Sequence, residues 1–403
     1  MHWKWMPLFI FVLLGSSLAN AGSVKIGVLG IFHPRELALG SQDEDAIVVT
    51  AAGQIFFLQP RSARDILRIR VSGDALLLGF GGEEIRAREI HAAGRNQNAA
   101  NFVLSVPGKI ERRYRGTLDL TVVNGVLVPV VTMDLETAVA SVVYAESLAG
   151  TPIEALKAQA VVTRSYFVAA VGRHAEFDFC DLTHCQFLRE APPRGSPAAL
   201  AAEATRDLVI TFDEKPVAAM FTRSCGGHTL TPADIGISSG AYPYFPVICD
   251  FCYNHPVRWS RRMSPKDAAT LSAHHEAERL AVGRRLGWDA VPSNNFTMHE
   301  SLSKVILEGV GQGHGVGLCQ RGARSMAEQG AGFREIVSHY FPNTNLGRIP
   351  SRDTREIESV DSKEFLKSTP SAGPGGFHAI ARVFRGASGK SVLCHPSASS
   401  EGH

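Results

Sequence analysis

The chain is short of one-signed charge: its formal net charge is +2, with no basic run interleaved with aromatics. That removes the electrostatic case for a nucleic-acid partner. After the first residues there is no apolar run long enough to cross a bilayer. The glycine-rich stretch at 311–317 is not followed by Gly-Lys-Ser/Thr, so a phosphate-cradling loop there is excluded. No Cys stands beside Ala19-Asn20-Ala21, which argues against lipid attachment there. The seven cysteines are an odd number, so at least one is free, metal-bound or paired between chains.

The start of the chain sets the expected compartment. Lys4 supplies positive charge, residues 6–14 are apolar, and Ala19-Asn20-Ala21 has the small residues of a cleavage site. This reads as a secretory signal peptide over 1–21. Export across the inner membrane to periplasm or cell wall follows, with an uncleaved N-terminal anchor as the alternative. With 403 residues, 45% of them hydrophobic, two compact parts plus tails are expected.

The expected fold class is α+β. Short apolar runs at 25–29, 46–50, 54–58, 66–71 and 75–80, separated by Gly, Asp and Ser, predict a β-rich N-terminal part over 22–113. Asn124-Gly125 between alternating strands predicts a type I′ hairpin. After Met133 the apolar period changes from two to 3.6, and Asp134 is placed to cap a helix ending at Glu146. Gly150 suits a left-handed helix stop, while Thr151, Pro152 and Glu154 read as N-cap, first helical residue and capping-box acid of a second helix. A second β section is expected around 207–222 and a last helical section over 319–340, broken at Gly330 and Gly332. From about 349 onward Ser, Gly, Pro and charge dominate, predicting a largely disordered tail.

Three constellations carry chemistry. Glu146, in the last turn of its helix, faces the negative end of the helix dipole, which favours the protonated carboxyl a general acid needs. A solvated Glu at a helix end is the plain alternative. His174, Cys180, His184 and Cys185 suit a tetrahedral zinc site; a Cys180–Cys185 disulfide is equally compatible with export. His184 is the awkward member, since adjacent ligands strain geometry. Cys249-x2-Cys252-x2-His255 supplies only three donors, so a local disulfide is expected, and haem attachment is excluded because His does not follow the second Cys. Finally, His314 sits among Gly311, Gly313, Gly315 and Gly317, with Gln320 just beyond, as in an active-site wall; a structural turn is the alternative.

In order along the chain, several motifs resemble the SpoIID/LytB family of stage II sporulation protein D and amidase-enhancer domains. They are Tyr-Arg-Gly at 114–116, the Glu146 turn with Glu-Ala-Leu-Lys-Ala-Gln-Ala at 154–160, and Arg-Ser-Tyr at 164–166. Cys-Asp-Leu-Thr-His-Cys-Gln at 180–186, Ser-Cys-Gly-Gly-His-Thr at 224–229, and Gly-x-Gly-His-Gly-x-Gly leading to His339-Tyr340-Phe341-Pro342 complete the set. The resemblance implies a catalytic domain over 114–348 and a peptidoglycan lytic transglycosylase that cuts peptide-stripped glycan. Glu146 would be the catalytic acid and base. It places zinc, in a structural role, on His174, Cys180, His184 and Cys185. Arg164, Tyr166, His314 and Gln320 are the expected glycan-positioning or supporting residues. An N-acetylmuramoyl-L-alanine amidase is the implied protein partner, and a non-catalytic amidase enhancer or wall-binding module the alternative. The chain departs from the family at Ser147-Leu148, where Met-Pro is usual, and at Leu318-Cys319-Gln320, where Met-Ser-Gln is usual.

Overall fold

The computed structural model describes residues 22–349 apart from 43–45, 60–64 and 302. The signal peptide and nearly all of the expected tail lie outside the described residues. The fold is α+β: eight α-helices accompany a large, curled, mostly antiparallel sheet among the described residues. The helices are α1 (Leu135–Glu146), α2 (Ile153–Ala169), α3 (Pro197–Ala204), α4 (Asp250–Asn254), α5 (Pro265–Ala268), α6 (Glu276–Leu286), α7 (Gln320–Glu328) and α8 (Phe333–Tyr340).

Most of residues 22–134 belong to a 12-stranded sheet. Its buried positions alternate, as in Ala100–Val106, where every second residue is inward. One long strand, Ile110–Val123, pairs along its first half with Ala100–Val106 and along its second half with Val126–Asp134. The boundary expected at 113/114 therefore falls inside a continuous strand. The Asn124-Gly125 hairpin is as expected, with φ of 51° and 74° at its two central residues.

Val126–Asp134 runs directly into α1, and the Asp134 side chain accepts from the Thr137 N–H at 3.0 Å. This cap fixes where the helix starts and so where Glu146 ends it. The next junction differs from its sequence reading. Gly150 is left-handed, with φ +69°, but lies in the loop four residues past Glu146 rather than at the helix stop. Thr151 makes no cap; its hydroxyl donates to the Leu148 carbonyl. Glu154 accepts instead from the Phe333 N–H at 2.9 Å and from Lys157 at 2.6 Å. Its carboxylate thus serves the first turn of α8, a tertiary partner that competes successfully with the local capping box.

Twelve of the 17 residues of α2 are buried, which makes it a central helix rather than a surface one. It packs on α1, α3, α7, α8 and strand Leu208–Phe212. One apolar core joins the large sheet to α1 and one side of α2. A second core gathers the other side of α2, α7, α8 and the cysteine-rich segments. A third lies under a separate sheet of Arg258–Met263, Lys304–Val310 and Phe296–Ser301, with α5 and α6. No described helix is long and apolar enough to cross a membrane.

Candidate active site and thiol clusters

Glu146 is half-buried at the end of α1. Burial pushes its carboxyl up to about 7, while the guanidiniums of Arg223 and Arg189 and the backbone N–H of Phe187 pull the other way. The leading physical cause is thus desolvation. A group poised near neutrality in this way can both give and take a proton.

Three segments remote in sequence build this surrounding. Gln320, the first residue of α7, donates through Nε2 to the Glu146 carbonyl at 3.0 Å. Arg324, one turn further, donates to the Ala149 carbonyl at 3.2 Å. Two of the carbonyls at the end of α1 and in the following turn are therefore satisfied by α7. Arg223 follows strand Phe221–Thr222, which pairs in parallel with Leu318–Cys319, and its carbonyl accepts from the Arg321 N–H. Phe187 and Arg189 come from the loop after the first His/Cys cluster.

The glycine loop lies against Phe221–Thr222. Thr222 Oγ1 donates to the Gln312 carbonyl and accepts from the Gly315 N–H. A Cβ on Gly317 would stand 2.1 Å from the Met220 carbonyl, so only glycine permits this approach. His314 Nδ1 accepts from the Val316 N–H at 3.0 Å, which leaves the proton of a neutral ring on Nε2. Burial lowers its pKa, opposed by Glu276, so the neutral form is favoured. Glu276 itself is buried and paired with Arg279 at 2.7 and 2.8 Å. His314 is thus joined to Phe221–Thr222 and faces the charge pair on α6, rather than bonding to Glu146.

Two expected supporting residues lie elsewhere. Arg164 is fully buried and makes a two-pronged bond to Glu136 at 2.7 and 2.5 Å, with further bonds to the Ala202 and Leu208 carbonyls. It holds α1, α2 and α3 together and has no donor left for a sugar. Tyr166 is buried against Phe179, and its hydroxyl accepts from Arg173. It backs the first His/Cys cluster instead of Glu146. In both cases the helix face that the sequence left open is covered by another element.

His174, Cys180, His184 and Cys185 converge: one donor atom from each lies within 4.8 Å of the others. His174 Nε2 is 3.3 Å from Cys185 Sγ, and His184 Nδ1 is 3.6 Å from the same sulfur and 3.9 Å from Cys180 Sγ. His184 is a full member despite its adjacency to Cys185. Two thiols and two imidazoles in this compass form a set able to hold a metal ion. The segment is anchored where Phe179–Cys180 pairs with Ile26 and Gly27 at the edge of the large sheet.

The second cysteine motif departs from its sequence reading. Cys249 and Cys252 are free thiols, and Cys225 and Cys319 join them in a buried group of four whose sulfurs lie within 4.8 Å of one another. His255 is outside this group, stacked on Phe251. Arg223 and Arg189 beside Glu146, and Cys225 and Cys319 beside the Cys-x2-Cys, were not singled out by local spacing. The one sequence hint was that Arg223 and Cys225 immediately precede the glycine pair at 226–227, where the backbone must bend.

A family model described as Stage II sporulation protein matches residues 124–212, which contain α1, Glu146, α2 and the His/Cys cluster. An uncharacterized protein of Brachyspira hyodysenteriae is 28% identical over 268 residues, covering 58% of this chain and 72% of the relative. Stage II sporulation protein D of Bacillus amyloliquefaciens is 24% identical over 268 residues, covering 54% and 75%. The amidase enhancer of Bacillus subtilis is 36% identical over 61 residues, covering 15% of this chain and 9% of that protein.

Proposed function

We propose, from the premise that these matches place the chain in the SpoIID/LytB family, that it works on the bacterial cell wall as a lytic transglycosylase with Glu146 as its acid and base. The observation that carries the reading is the half-buried Glu146 carboxyl, pushed up to about 7 between two guanidiniums. Hydrolytic glycosidases generally use two carboxyl groups, one to protonate and one to activate water or attack. The charges acting on Glu146 are Arg223 and Arg189, neither of which is a base for water. One carboxyl suffices if the nucleophile is on the substrate. Protonated Glu146 gives its proton to the glycosidic oxygen as the C1–O bond breaks. The muramic acid C6 hydroxyl bonds to C1, and the carboxylate then takes the C6 proton. The products are a new free hydroxyl end and a 1,6-anhydro end, with no water consumed and the Glu restored.

Arg223 and Arg189 would attract the carboxylate of the muramic acid lactyl group. We place zinc at His174, Cys180, His184 and Cys185 in a structural role, because four protein donors leave no open position for substrate. When bound it would cross-link the segment that carries Phe187 and Arg189. Export to the periplasm or wall follows from the leader over 1–21.

The test is incubation with intact and peptide-stripped glycan, followed by mass spectrometry. Anhydro-muramyl ends from the wild type, absent with Glu146→Gln, are expected; hydrated reducing ends or no cleavage would overturn the reading. The amidase-enhancer relative favours a second reading, in which the chain stimulates an amidase without cutting. In that case Glu146→Gln would stimulate the amidase as well as the wild type does.

A further inference from the structure

We propose that Cys225, Cys249, Cys252 and Cys319 bind a second metal ion, a zinc held by four thiolates. The four sulfurs come from three separate segments. Cys225 follows strand Phe221–Thr222, Cys249 and Cys252 flank and occupy the first turns of α4, and Cys319 closes the strand before α7. All four residues are buried. Zinc–sulfur bonds of about 2.3 Å in a tetrahedron set the sulfurs roughly 3.8 Å apart. The Cys252–Cys319 separation is 3.5 Å, and every pair lies within 4.8 Å. A single ion fits that compass, whereas an iron–sulfur cluster interposes several atoms and holds its thiolates farther apart. Two disulfides would draw two pairs to about 2.05 Å and release the mutual grouping of all four.

The surroundings suit thiolates. The Cys225 N–H donates to Cys319 Sγ at 3.4 Å. The Ser224 hydroxyl lies 3.5 Å from Cys252 Sγ, and the Tyr340 hydroxyl 3.4 Å from Cys249 Sγ. Donors of this kind orient ligands and offset the charge of a four-thiolate centre. Space is kept for it as well: a Cβ on Gly322 would stand 2.4 Å from Cys249 Sγ and 2.0 Å from the Tyr340 hydroxyl.

The position of the centre gives it a purpose. Arg223 is two residues before Cys225, and Gln320 directly follows Cys319. The ion would therefore lock together the two segments that supply the guanidinium beside Glu146 and the amide holding its carbonyl. The His/Cys cluster, with its own ion, would do the same for the segment that carries Phe187 and Arg189.

Native mass spectrometry and elemental analysis of the full chain, loaded with zinc under reducing conditions, test the idea. Two zinc ions per chain are expected, falling to one in Cys252→Ser with the His/Cys cluster untouched. X-ray absorption at the zinc edge of the wild type needs no variant to fold. It should report about three sulfurs and one nitrogen per zinc, the mean of a four-sulfur and a two-sulfur, two-nitrogen site. One zinc per chain with two sulfurs and two nitrogens would overturn the proposal. So would a peptide map of exported protein showing disulfides among these four cysteines.

Discussion

Glu146 connects a single ionisation to both chemistry and stability. Its folded pKa, about 7, is raised above the ordinary value, so the folded state favours the protonated form. The associated stability is complete below the unfolded pKa and is lost as pH rises through about 7. At 1.36 kcal/mol per unit the ceiling is on the order of 3 kcal/mol, and partial exposure reduces this to about 1–2 kcal/mol. Glu146→Gln is therefore expected to be more stable than the wild type at pH 8, and to show less difference in Tm between pH 5 and pH 8. The same variant should lose at least about 10²-fold in glycan cleavage, the scale of a general acid's contribution. A kcat/KM profile should fall on the alkaline side near pH 7. Arg223→Gln removes a cation that lowers the carboxyl pKa, so that limb should move to higher pH; a limb that stays put would exclude Arg223 as a neighbour of the titrating group.

At the scale of elements, α1 is held at both ends by side chains from elsewhere. Near its start Glu136 is buried with Arg164 of α2, and at its end Gln320 of α7 binds the Glu146 carbonyl. Arg164→Met leaves Glu136 buried without its partner and is expected to cost about 3–5 kcal/mol in a denaturation experiment. Replacing Glu136 by Leu in that background should recover most of the loss, because the pair is structural. Glu154, read locally as a capping residue of α2, bonds the first N–H of α8. Glu154→Ala should cost about 1 kcal/mol and raise hydrogen exchange at the start of α8 rather than at the start of α2.

Across the whole molecule, each thiol cluster adjoins in sequence a different set of the residues that surround Glu146. Cys185 precedes Phe187 and Arg189, while Cys225 and Cys319 adjoin Arg223 and Gln320. Stripping metal with a chelator under reducing conditions should increase amide exchange at 185–189 and 319–321. The strands of the 12-stranded sheet other than Phe179–Cys180 should stay protected, since they carry no ligand of either cluster and their core contains neither the second cluster nor α7. Equal loss of protection throughout the chain would contradict this local tethering.

Much of the local architecture is written in short stretches. Asn124-Gly125 sets a hairpin because two successive positive φ values are required there, and Asp134 starts a helix because its carboxylate meets an orphan N–H three residues on. The 3.6 period then brings α1 to its end at Glu146, and the glycines at 330 and 332 separate α7 from α8. The donors His174, Cys180, His184 and Cys185 were also legible, since all lie within one short segment.

Partners far apart in the chain were not legible in this way. Cys225 and Cys319 are 94 residues apart, and no periodicity links them to Cys249 and Cys252. Arg164 and Arg223 look alike as sequence, yet one is spent on Glu136 in the core and the other stands beside Glu146. Local sequence fixes dihedrals, caps and turns because those energies act within a few residues. Which charge meets which carboxyl, and which thiols share a site, depends on the packing of α2, α7 and the parallel pair Phe221–Thr222 and Leu318–Cys319, and only the tertiary structure decided it.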